Sequence, residues 1–182
     1  VELLLQHGAC PNAEFSQTIN DAIDKYTAVT TCLGTSYNPY YNQPYIMYSL
    51  IKAGADIRDL DGISNRGSAS LDKTISQIEP HFLVIQQCQL SVADAMAGKG
   101  KLSLLPSEIS KDKTIDPSNA QGYKKAIARF CVWQILSPAI SVDSAHHISR
   151  AKSVKQLSDL PGRFENIKDQ QIIRDYLEEL SK

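Results

Sequence analysis

Four cysteines and four histidines are the side chains of this 182-residue sequence best equipped for nucleophilic or metal chemistry, and their spacing decides whether they can perform it. Cys10, Cys32, Cys88 and Cys131 stand singly, with no pair at the spacing of a zinc knuckle or a thioredoxin-type motif. Each lies in or beside an apolar segment, where a free cysteine behaves as a small hydrophobe. His146 and His147 are adjacent. Neighbouring positions on a helix diverge by about 100°, so the pair does not form the two-ligand face that an i, i+4 spacing would. A cysteine–histidine nucleophile would have to join Cys131 or Cys32 to His81, His146 or His147. Cys131, however, sits amid Phe130, Val132 and Trp133, where burial raises a thiol pKa and makes it inert. Gly98-Lys99-Gly100-Lys101 lacks the spacing and the preceding strand of a phosphate loop and reads as a solvated turn. These residues call for no metal and no cofactor, and they assign no catalytic group.

The elements that would position a site are ordinary soluble ones. Apolar residues make up 42% of the chain and charged residues 21%, a balance that supports a folded core. Nineteen basic residues face 20 acidic ones for a formal net charge of −1. No concentrated basic field is available for nucleic acid, and no apolar run reaches the roughly 18 residues that cross a bilayer. Unpaired cysteines fit a reducing compartment. The chain opens Val-Glu-Leu-Leu-Leu, as if inside a helix, so it is expected to be a piece of a longer protein.

Residues 1–13 place Val1, Leu4 and Leu5 on one helical face, widened by Leu3. Gly8 supplies a left-handed end and Pro11-Asn12 a turn. Residues 50–62 repeat the pattern. Leu-Leu-Gln-His-Gly-Ala-Cys-Pro-Asn-Ala aligns with Leu-Ile-Lys-Ala-Gly-Ala-Asp-Ile-Arg-Asp, followed by Asp61-Gly62. Both copies resemble the end of the outer helix of an ankyrin repeat and the turn after it. The resemblance covers about the first third of the chain and departs from the family in spacing. Gly8 and Gly54 are 46 positions apart, against an ankyrin period of about 33. It places the opening of the intervening inner helix at Thr18-Ile19-Asn20-Asp21-Ala22-Ile23, with about 13 extra residues falling near 31–44. Repeats of this kind bury their apolar faces only against neighbours, so the end at residue 1 is expected to meet preceding repeats.

Within that extra length, residues 37–48 carry five of the eight tyrosines. Pro39 and Pro44 favour a stiff extended loop. Tyrosine offers wide contact area, a hydroxyl and little entropy to lose, so Tyr37, Tyr40 and Tyr41 are the candidate partner-binding residues. The competing reading folds them back as a lid. Tyr45 and Tyr48 are read as the start of the next helix, packed in its core.

From Ser70 the periodicity is helical, through Ile75, Ile78, Phe82, Ile85, Val92 and Met96, interrupted by Gln89. Pro80 either kinks that helix or begins a second one near Glu79. Residues 98–118 read as a linker holding a short helical turn at 104–109. Further helices are expected over about 118–136, stopped by Pro138, and over about 143–159 and 169–180. Tyr123, Ile127, Phe130 and Trp133 form the buried face of the first of these, with Lys124, Lys125 and Arg129 on a solvated side.

The fold class is therefore all-α: an ankyrin-like helical repeat segment over 1–68, followed by a helical C-terminal domain over 69–182. What the resemblance implies is a scaffold or adaptor that reversibly binds another protein in a cytoplasmic or otherwise reducing environment. Degenerate repeats with a helical extension are also similar to the effectors that intracellular bacteria secrete into a host cytosol. Two rivals stand beside that reading. One is a cysteine-dependent hydrolase or transferase with its site in the C-terminal helices or in a preceding portion. The other is a purely structural cap on the repeat stack.

Overall fold

The computed structural model describes residues 1–19, 22–34, 43–60, 69–98, 100–110, 116–140 and 146–182. Eight α-helices and one hairpin account for the regular structure of these residues. The chain is mostly helical, as its periodicity requires.

Helix α1 (Glu2–Gln6) ends at Gly8, whose φ of 78° is the left-handed conformation the sequence calls for. The stretch assigned to an inner helix by the ankyrin resemblance is instead a hairpin of β1 (Phe15–Ile19) and β2 (Ala22–Tyr26). Phe15, Thr18, Ile19, Ile23 and Tyr26 are β-branched or aromatic, and the Phe15 and Tyr26 rings stack 5.5 Å apart across the open end. Helix α2 (Ala28–Gly34) follows the second strand, with Thr27 rather than Thr18 at its start. Thr27 Oγ1 accepts from the Thr30 amide at 3.3 Å and Thr30 Oγ1 accepts from the Thr27 amide at 2.8 Å, a reciprocal cap.

Helix α3 (Gln43–Lys52) buries Met47, Leu50 and Ile51 and ends at Gly54, with φ 97°. The turn after α1 is tied to the turn after α3 by one side chain. Asn12 Nδ2 donates to Gly54 O at 3.2 Å, and Asn12 Oδ1 accepts from the Asp56 amide at 2.7 Å. The Asn12 side chain thus joins the two glycine turns.

Helix α4 (Ala69–Ala97) runs unbroken through Pro80, which removes one backbone hydrogen bond without ending the helix. Its face toward the core carries Phe82, Ile85, Cys88 and Val92, and also Gln89, which is completely buried. Gln89 replaces the water its carboxamide loses: it donates to Ala55 O at 2.7 Å and accepts from the Ile57 amide at 2.9 Å. One turn earlier, Gln86 Nε2 donates to Ile57 O at 2.9 Å and Leu60 O at 2.7 Å.

Helix α6 (Pro117–Ile140) is the axle of the molecule. Asp116 caps it by accepting from the Ser118 amide at 2.9 Å, and the helix continues past Pro138, where the sequence predicts its end. A proline in the last turn costs one hydrogen bond to the turn before it and leaves the rest of the ladder intact. Tyr123, Ala126, Ile127, Ala128, Phe130, Cys131, Val132 and Trp133 are all buried, on every side of the helix, because α3, α4, α7 (His146–Asp159) and α8 (Ile167–Leu180) pack around it. Lys124 is not on a solvated face: its ammonium lies 2.7 Å from the Asp169 carboxylate, which is buried at the start of α8. Asp169 also accepts from the Leu104 amide at 3.1 Å.

The described part of the 98–118 stretch is pinned at several points. Leu102 and Leu104 are buried, α5 (Ser107–Ser110) supplies the short turn, and Leu102 forms a parallel bridge with Phe164. Arg163, in the 3-10 turn Pro161–Arg163, donates to the carbonyls of Ala95, Met96 and Gly98 and so closes the C-terminal end of α4. The buried apolar residues form one cluster that runs from Val29, Met47 and Ile51 through Phe82 and Phe130 to Ile173.

Candidate interaction groove

A groove of about 570 Å³ opens where the end of α1 meets α3, α6 and α8. Glu2, Leu5, Gln6, His7 and Gly8 line it from α1 and its turn, Ser49, Lys52 and Ala53 from α3 and its end, Arg129 from α6, and Tyr176, Glu179, Leu180 and Lys182 from α8 and the residues after it.

Each charged wall residue is placed by an identifiable contact. Glu2 Oε1 accepts from the Tyr45 hydroxyl at 2.6 Å and from the Ser49 hydroxyl at 3.2 Å, which binds α1 to α3. The Tyr45 bond, then the Ser49 bond, holds the Glu2 carboxyl below its ordinary pKa, and the same carboxylate pushes the Tyr45 phenol up. Tyr45 is half exposed rather than in the core; only Tyr48, on the inner side of α3, is partly covered, against His81. Lys52 Nζ lies 5.1 Å from the centre of the Tyr48 ring.

Arg129, read from the sequence as solvated, is engaged on three sides. Its guanidinium donates to Lys52 O at 3.1 Å, sits 5.2 Å from the Tyr176 ring centre, and lies 3.7 Å from the Glu179 carboxylate. It thereby closes the C-terminal end of α3, where unpaired carbonyls concentrate negative charge. Tyr176 is fixed from behind, since its hydroxyl accepts from Trp133 Nε1 at 2.8 Å. Burial pushes its phenol up. The groove therefore offers anchored groups of both signs and a tyrosine held from two directions.

On the far side of the second turn, Arg58 pairs with Asp56 at 2.7 Å, lies 5.5 Å from the Phe130 ring centre, and shares Gln134 with that carboxylate. Burial alone would raise the Asp56 pKa; the Arg58 bonds outweigh it and hold the carboxyl below its ordinary range.

The cysteines are placed for packing. All four are free. Burial pushes the Cys88 thiol up to about 12, raises Cys131 further still, and raises Cys32. A thiol so shifted is protonated at neutral pH and a poor nucleophile. His81 meets Tyr123, whose hydroxyl is 2.7 Å from its Nδ1. No hydrogen bond joins a cysteine to His7 or His81, the side chains of His146 and His147 lie outside the description, and among the described residues no group of three or more His, Cys, Asp and Glu is placed to hold a metal ion. No helix among them is long and apolar enough to cross a membrane.

Tyr37, Tyr40 and Tyr41 lie outside the described residues. Of the tyrosines at 37–48, Tyr45 and Tyr48 are described, and Tyr45 bonds the groove residue Glu2. Sequence reasoning missed Asn12, Gln86, Gln89, Arg129, Arg163 and Asp169 as positioning residues. Gln89 had a readable signal, an amide on an apolar seam. The others pair with residues distant in the chain, which no local pattern encodes. Comparison with family models, curated proteins and solved structures returns no match.

Proposed function

We propose that this chain is a protein–protein interaction module: two ankyrin-like helix-turn units, closed on one side by the C-terminal helices, that hold a partner protein at the groove and along the adjoining tyrosine-rich segment. The observation that carries the reading is the position of Glu2. Its carboxylate lines the groove and accepts from Tyr45, which follows the candidate contact residue Tyr41 by four positions in the sequence.

Three further features support it. The Asn12 bridge joins the turn after α1 to the turn after α3, a contact that neighbouring units of a repeat array would make. The groove mixes anchored cations, carboxylates and a tyrosine, the composition of a polar interface rim around aromatic contact area. Cys131 and Cys32, the candidate nucleophiles of a cysteine-dependent enzyme, are shifted by burial away from thiolate reactivity.

Affinity capture tests this with the parent chain, a Tyr37→Ala, Tyr40→Ala, Tyr41→Ala variant and a Lys52→Glu variant, each shown to be folded by circular dichroism. The proposal expects a partner retained by the parent and depleted at least tenfold by both variants. Retention of the same partner by both variants rejects the two contact regions together.

A further inference from the structure

We draw no further inference here: the strongest candidate, the exposed leucine face of the first helix at Leu3 and Leu4, which are 67% and 65% exposed, carries nothing because nothing in the structure shows what covers it.

Discussion

Asn12 and Gln89 grip the same short run of backbone by alternate residues. The Asn12 carboxamide takes Gly54 O and the Asp56 amide; the Gln89 carboxamide takes Ala55 O and the Ile57 amide. Each side chain satisfies two main-chain groups that strand partners would otherwise satisfy. The turn after α3 is thereby fixed to the turn after α1 through Asn12 and to α4 through Gln89.

The two grips predict unequal losses. Gln89→Leu keeps the volume but leaves a buried carbonyl and a buried amide unpaired, at about 1–3 kcal/mol for each group. Asn12→Ala acts at a half-buried site where water can enter, so about 1 kcal/mol is expected. Urea denaturation should rank Gln89→Leu well above Asn12→Ala. Equal midpoints would show that α4 does not hold the turn.

The two left-handed glycines give a second contrast. A Cβ at Gly8 meets nothing within 4 Å, whereas at Gly54 it meets Arg129 C and Phe130 N at 2.6 Å. Gly8→Ala should cost only the conformational term, about 1–2 kcal/mol. Gly54→Ala adds a backbone collision with α6 and should cost about 3 kcal/mol or more. Similar thermal midpoints for the two variants would contradict the close approach of α6 to that turn.

Asp169→Ala removes the partner of Lys124 and of the Leu104 amide together. Breaking a buried pair from one side costs about 3–5 kcal/mol, and the partial exposure of Lys124 points to the lower end. Hydrogen exchange should rise first at residues 102–105, which this carboxylate holds. Unchanged protection there would mean that Leu102 and Leu104 are retained by packing alone.

Acid should loosen the second turn. Asp56 has a folded-state pKa below its unfolded value, so it contributes stability at neutral pH. That contribution shrinks as pH falls from about 4, where the unfolded carboxyl begins to take up protons, through the lower folded pKa. Asp56→Asn should be less stable than the parent at pH 7, with the gap closing toward pH 3. A gap that stays constant over that range would exclude the Asp56–Arg58 pair as its source.

The helices were legible because their signals are local. The seam of Phe82, Ile85 and Val92, the start of α6 near Ser118 and the glycine ends at 8 and 54 all follow from periodicity and turn chemistry. The hairpin was obscured by the ankyrin resemblance, which assigns Thr18 to a helix start, although Phe15–Ile19 and Ala22–Tyr26 carry β-forming residues. The Thr27–Thr30 cap lies beyond the family spacing. The groove was illegible for another reason. Arg129 and Lys124 look like a charged helix face until Tyr176, Glu179 and Asp169 arrive from about 45 or 50 residues away. The partner of the Tyr45 hydroxyl, Glu2, is likewise 43 positions distant.

Site-specific photocrosslinking tests the interaction reading most directly. A photoreactive side chain is placed at Glu179, on the rim of the groove, or at Val154, equally exposed but outside it, at 63% and 66%. The account predicts that illumination in cell lysate yields a discrete higher-mass adduct from position 179 and none from position 154. The same adducts from both positions, or none from either, would contradict it.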